Sequence, residues 1–175
     1  MNEEFPLKAI RCEAAAIPKE SGKASLPLPA KMARLNAESP LSSGLIKHIV
    51  DIVEIAKQAK WPYPKTFQAL ADAQVISYEV SWEDGYQCVY KTPAGDITEA
   101  PLEGFIQPKI SSEFSEAKAK QALYIHQHGE TTYLEWLQQM ADAGVSQYNV
   151  RMEQRSVTYY NTNKIQSITE IVPTI

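Results

Sequence analysis

Ten residues near the middle of this chain recur 70 residues later. Residues 71–80, ADAQVISYEV, align without gaps on residues 141–150, ADAGVSQYNV, and six of the ten positions are identical. Chance gives about one match in ten to twenty positions at ordinary residue frequencies. The same shift pairs Tyr63 with Tyr133. We therefore predict an internal duplication, which limits the chain to folds that two similar halves can build.

The first copy has the pattern of two helices followed by a strand hairpin. Apolar residues recur at helical spacing over about residues 42–60, and Pro64 suits the first turn of a short second helix. Over residues 75–82 apolar and polar side chains alternate, which predicts a strand with one buried face. The predicted inward residues are Ile76, Tyr78, Val80 and Trp82. The turn residues 83–85, Glu-Asp-Gly, predict a hairpin into a second strand over residues 86–90.

The second copy repeats this order. A helix is predicted over about residues 112–128, and Thr132 and Glu135 have the spacing of a capping box that starts the next helix. Gly144 suits the end of that helix, whereas the first copy has Gln74 there, which makes a left-handed helix end less certain. The strands that follow are predicted from Tyr148, Val150 and Met152 on an inward face, from residues 157–160, and from a possible last strand over 165–172.

Because the helices precede the strands in each copy, an α+β layer fold is favoured over a doubly wound sheet. We predict two tandem helix-helix-strand-strand repeats with antiparallel hairpins, over about residues 43–108 and 109–175. A unit of about 65 residues is marginally stable alone. The two repeats are therefore expected to share one core, as a single domain over residues 43–175.

Residues 1–42 are predicted to be an N-terminal extension, at least partly flexible. The first 40 residues hold five of the eleven prolines and a single aromatic residue, Phe5. A flexible tail is one interpretation of this composition. The other is a tail that docks a partner through the extended segment 26–29, Leu-Pro-Leu-Pro.

Charge and composition exclude several classes of protein. The chain has 17 basic and 21 acidic residues, a formal net charge of -4, and no dense Lys/Arg run, so nucleic acid is not expected as a partner. No apolar run is long enough to span a bilayer, and the first residues lack a basic signal-peptide region. Cys12 and Cys88 have neither disulfide-framework nor zinc spacing, so we expect reduced thiols in a cytoplasmic protein.

Few residues are candidates for chemistry. Hydrolase, metalloprotease and nucleotide-binding signatures are absent, and we predict no cofactor. His126 and His128 would lie about 200° apart on a helix, so a metal site is not expected, and a polar helix end is favoured for them. Cys88 shares a predicted strand face with two tyrosines and is more typical of a small core residue than of a nucleophile.

Four tyrosines are better candidates for a binding site. Tyr78, Tyr90, Tyr148 and Tyr160 occupy matching positions under the 70-residue shift. Buried tyrosines pack well between helices and a sheet, and they also line ligand pockets. Core packing is the favoured interpretation and a pocket is the alternative. Cys88 and His126 complete the set of candidate binding residues.

Several blocks of the sequence resemble one protein family. Residues 126–131, 140–145 and 157–160 resemble the carboxyl end of the uncharacterised bacterial YbcV-like family, and residues 67–96 resemble its first half. The resemblance covers about residues 45–173. It implies a small α+β bacterial protein, often encoded near prophage genes, and it supplies no catalytic residues.

These observations favour a non-catalytic binding or protein-interaction module with a protein or small-molecule partner. The alternative is a small enzyme that uses Cys88 or His126 in a cleft between the repeats. An exposed Cys88 or His126 beside a carboxylate would favour the enzyme, whereas packing of both residues would favour the module.

Overall fold

A computed structural model describes residues 40–99 and 101–175 of the chain. The elements are α1 (Pro40–Gln58), α2 (Tyr63–Asp72), β1 (Ser77–Ser81), β2 (Gln87–Thr92), β3 (Gly95–Thr98), α3 (Glu116–Gln127), α4 (Tyr133–Asp142), β4 (Gln147–Arg151), β5 (Ser156–Tyr160) and β6 (Ser167–Ile171). We call residues 40–99 the first half and residues 116–172 the second half. Residues 1–39 of the predicted tail, with Cys12 and the docking segment 26–29, lie outside the described residues. Positions 40–42, predicted to belong to the tail, form the start of α1.

The six strands form one antiparallel sheet in the order β3-β2-β1-β4-β5-β6. Strands β1 and β4 pair at its centre, where Glu79 lies opposite Asn149 and accepts a 3.0 Å hydrogen bond from the Asn149 Nδ2 atom. These two residues are 70 positions apart, so an approximate two-fold rotation at the centre of the sheet relates the halves. The predicted α+β fold of two helix-helix-strand-strand repeats is confirmed, and each repeat has a third strand.

The helices and one face of the sheet enclose a single core that contains residues of both halves. Along the central strands β1 and β4 alternate side chains are buried, as the period-2 pattern predicts. Helix α1 buries one stripe, made of Ile49, Ile52, Val53 and Ala56. The opposite face of the sheet is mainly polar and partly exposed. In the described part of the chain, no helix combines the length and apolar character that crossing a membrane requires.

The junction between α2 and β1 and the junction between α4 and β4 each contain one residue with a left-handed backbone conformation. Gln74 has a φ of 66° and Gly144, 70 positions later, has a φ of 81°. Gln74 therefore adopts the left-handed backbone conformation at the helix end, although a residue with a side chain disfavours it. Glycine is needed at 144 for a second reason, because a Cβ atom there would lie 2.5 Å from the Glu113 carbonyl oxygen. The segment before α3 thus packs directly on the end of α4.

This packing also explains why α3 starts later than predicted. The backbone N–H groups of Ser111 and Ser115 donate to the carbonyl groups of Ala141 and Ala143 at the end of α4. Residues 111–115 therefore bond to α4 and do not extend the helix. Ser115 then caps α3 by accepting a hydrogen bond from the Lys118 N–H group.

The predicted match of Tyr160 with Tyr90 is wrong by one residue. Five residues, 82–86, join β1 to β2, whereas four residues, 152–155, join β4 to β5. A shift of one residue turns every following side chain to the other face of a strand. Tyr159 is therefore the buried counterpart of Tyr90, and Tyr160 lies on the polar face of the sheet.

The predicted inward position of Ile76 is also wrong, since 56% of this residue is exposed. Its backbone already bonds to Lys91 and Met152, but the chain leaves the Gln74 turn with Val75 packed into the core, so Ile76 is directed outward. Alternation of buried side chains therefore starts at Tyr78 and does not extend back to Ile76.

Candidate functional site

Three of the four predicted tyrosines lie together on the inward face of the sheet. The ring centroid of Tyr78 lies 5.2 Å from that of Tyr90 and 6.5 Å from that of Tyr148. Each of these residues is at most 5% exposed. Tyr160 is apart from them on the opposite face, where the Lys164 Nζ atom lies 5.7 Å from its ring centroid. Tyr78, Tyr90 and Tyr148 are thus packed between the helices and the sheet.

Cys88 and His126 are also buried, each with 2% exposure, in different halves of the molecule. The imidazole of His126 stacks on Trp136 with 5.1 Å between ring centroids, and its Nδ1 atom lies 3.0 Å from the Thr131 hydroxyl. Within residues 43–99 and 101–175, no group of three or more His, Cys, Asp or Glu side chains is placed to hold a metal ion. These residues therefore form no open catalytic arrangement.

A polar cluster instead extends from the buried tyrosines to the edge of each half. In the first half the hydroxyls of Tyr63 and Tyr78 share a 2.6 Å hydrogen bond. Beside them Glu99, the residue after β3, accepts hydrogen bonds from two groups. The Tyr90 hydroxyl donates to its Oε2 atom at 3.3 Å, and the Lys57 ammonium donates to its Oε1 atom at 3.2 Å. We call Lys57, Tyr90 and Glu99 the first-half cluster.

The second half repeats this cluster with one change. The hydroxyls of Tyr133 and Tyr148 share a 3.2 Å hydrogen bond. Glu170 on β6 accepts from the Tyr159 hydroxyl at its Oε2 atom, at 3.2 Å, and from the Gln127 Nε2 atom at its Oε1 atom, at 3.1 Å. We call Gln127, Tyr159 and Glu170 the second-half cluster. An amide thus occupies the place that an ammonium group has in the first half.

The second-half cluster has unusual electrostatics. Burial raises the pKa of the Glu170 carboxyl above its ordinary value, although the hydrogen bonds from Gln127 and Tyr159 act in the opposite direction. Burial, followed by the charge of Glu170, raises the pKa of the Tyr159 hydroxyl well above its ordinary value. Tyr159 therefore stays a hydrogen-bond donor at physiological pH. Perturbed carboxyl groups of this kind occur preferentially at functional sites.

Glu170 is only partly buried. It lies on the edge strand β6, beside the end of α3 that carries Gln127. The predicted site residues Tyr78, Tyr90, Tyr148, Cys88 and His126 are all buried. Among these groups, Glu170 alone is partly exposed.

The sequence analysis missed both clusters because their members come from different elements and form no local motif. A signal was present. Lys57 and Gln127 are 70 positions apart, and Glu99 and Glu170 are 71 positions apart. The offset is 69 at Tyr159, after the shorter first hairpin of the second half, and rises to 71 at Glu170 because the connection from β5 to β6 is longer than that from β2 to β3. Allowing small gaps in the comparison of the two copies would have aligned both carboxylates.

Residues 47–170 match the model of a family described as a protein of unknown function, DUF1398. No curated protein matches the chain at a significant level.

Proposed function

The chain belongs to this family of unknown function, DUF1398, and from its geometry we propose that it is a non-catalytic binding module for a small molecule. The ligand binds at the second-half cluster, between the end of α3 and β6. One observation carries this proposal. Glu170 is partly exposed, and its partners among the described residues, Gln127 and Tyr159, are uncharged. Burial raises the pKa of its carboxyl group. A ligand that satisfies this carboxylate gains interaction free energy that water and the protein do not fully supply.

The alternative, an enzyme that uses Cys88 or His126, has less support. Both side chains are 2% exposed, so a substrate in solution cannot reach either group unless the core opens. The His126 Nδ1 atom is directed at Thr131, and the ring is stacked on Trp136. These contacts fix the imidazole inside the core, as in a structural role.

We also propose that the two halves arose by duplication. Helices α2 and α4 begin and end at positions 70 apart, and so do strands β1 and β4. Equivalent atoms of Glu99 and Glu170 accept equivalent hydrogen bonds. Membership of the YbcV-like group, the bacterial and prophage-linked setting and the cytoplasmic location stay predictions from the sequence.

A ligand screen with matched variants tests the binding function. The full chain is screened by thermal stabilisation against a fragment library that contains cationic, neutral and anionic compounds. Compounds that stabilise the wild type are repeated on Glu170→Gln and, as the matched control from the other half, on Glu99→Gln. We expect compounds whose effect disappears in Glu170→Gln and persists in Glu99→Gln. A library with no compound of this behaviour would refute a small-molecule site at Glu170.

A further inference from the structure

We propose that the ligand of the second-half cluster is an organic ammonium compound, with its charged nitrogen held by the Glu170 carboxylate. This inference rests on the proposed binding function and names the class of ligand. Its basis is the comparison between the halves, because the first half shows which group completes this arrangement.

In the first half that group is the Lys57 ammonium, which lies 3.2 Å from Glu99 Oε1. The second half keeps the carboxylate and the tyrosine donor and replaces the ammonium by the Gln127 amide. A Gln side chain is shorter than a Lys side chain and carries no charge. The first half therefore pairs its carboxylate with a cation. The second half keeps the carboxylate but lacks the cation.

A second feature at the same edge also favours a cation. Lys57 lies 3.8 Å from a second carboxylate, Glu54, one helical turn earlier on α1. The position 70 residues after Glu54 is Tyr124, which is 47% exposed and precedes Gln127 by three residues on α3. Residues three apart on a helix share a face. An exposed aromatic ring thus lies one turn before the residue that donates to Glu170, and aromatic faces attract ammonium groups.

Other ligand classes fit this edge less well. An anion would be repelled by the Glu170 carboxylate, and among the described residues no group of three or more acidic, His or Cys side chains offers a metal site. A neutral molecule can donate a hydrogen bond to the carboxylate but does not neutralise its charge. An ammonium group can donate to Glu170, which is partly exposed, while Gln127 is 4% exposed and supports the carboxylate from inside the protein. The ring centroid of His128 lies 4.1 Å from that of Tyr124.

The probe for this inference is n-butylammonium, which reproduces the Lys side chain that completes the first-half cluster. Butyramide and butyrate are its neutral and anionic counterparts of similar size. Binding to the full chain is followed by NMR chemical shifts, with the Gln127 side-chain amide as the local reporter. We expect saturable shifts of that amide with n-butylammonium and at least tenfold weaker binding of the other two compounds.

Two variants test the assignment in different ways. Glu170→Gln removes the charge, and Gln127→Lys supplies a covalent ammonium group at the position equivalent to Lys57. Each is expected to weaken n-butylammonium binding at least tenfold, whereas Glu99→Gln leaves it unchanged. Since Gln127→Lys copies an arrangement that the first half already contains, it keeps the test valid if Glu170→Gln fails to fold.

The outcomes separate this inference from the binding function. If a neutral or anionic compound binds in a Glu170-dependent way and n-butylammonium does not, the binding function stands and the ammonium assignment is wrong. If n-butylammonium binds equally well to Glu170→Gln and Gln127→Lys, the assignment is also wrong. If no compound of any charge class shifts the Gln127 amide, both proposals are refuted.

Discussion

Replacing Gly144 by alanine tests how the segment before α3 is held on the end of α4. Gly144 has a φ of 81°, and an added Cβ atom would lie 2.5 Å from the Glu113 carbonyl oxygen and 2.8 Å from the Phe114 Cα atom. The left-handed conformation costs an L-residue about 1–2 kcal/mol. The contact is with backbone atoms, so one of the two segments must shift, which adds about 1–3 kcal/mol. We expect Gly144→Ala to lower the free energy of unfolding by about 2–5 kcal/mol in total.

Gly129 is the matched control for this substitution. Its φ of 75° is close to that of Gly144, and a Cβ atom there would meet nothing within 4 Å. Gly129→Ala therefore carries the backbone strain without the steric overlap, and should cost about 1 kcal/mol. The difference between the two variants isolates the close approach of Glu113 to the end of α4.

Urea unfolding measures both variants against the wild type, with fluorescence of the buried Trp82 and Trp136 as the signal. The expected result is a larger fall in the urea midpoint for Gly144→Ala than for Gly129→Ala, at an unchanged slope. Equal losses, within about 0.5 kcal/mol, would refute the reasoning, because they would show that residues 111–115 move away at no cost.

Three other predictions follow from the buried groups. Because burial raises the folded-state pKa of Glu170, this residue favours the folded state below its unfolded pKa and loses that contribution as the pH rises through the folded value. The melting temperature of Glu170→Gln relative to wild type should therefore rise from pH 4 to pH 8, and a constant difference would contradict this. Tyr78→Phe and Tyr148→Phe each remove one buried hydroxyl hydrogen bond, so each should cost about 1 kcal/mol in urea unfolding; no loss in either would argue against those bonds. In a Cys12→Ser background, the 2% exposed Cys88 should react with a thiol reagent at least about 100-fold faster in urea than under native conditions, and equal rates would show an accessible thiol.

Local patterns predicted the middle of each repeat well. The capping box of Thr132 and Glu135 is present, and α4 begins directly after it. Alternation placed Tyr78 and Tyr148 in the core, although it failed at Ile76, where the preceding turn packs Val75 inward instead. These features depend on residues close in sequence, since caps and strand faces are set by neighbours a few positions apart.

Features that depend on loop length could not be obtained from the same patterns. An ungapped shift treats the two hairpins as equal, but the connection at 82–86 is one residue longer than that at 152–155. The period of a strand is two residues, so this single difference decides whether Tyr159 or Tyr160 enters the core. No hydrophobicity pattern separates two adjacent tyrosines.

The candidate site follows from what the two halves do not share. Packing requires both halves to keep their core tyrosines, and hydrogen bonding requires each buried hydroxyl and carboxylate to have a partner. Lys57 meets that requirement in the first half with a charge, and Gln127 meets it in the second half with an amide. Both choices satisfy the carboxylate oxygens, but only Lys57 neutralises the negative charge of its partner. Folding alone does not account for leaving Glu170 without a counter-charge, since the first half shows that a lysine fits this architecture. We propose that a molecule from outside supplies this charge.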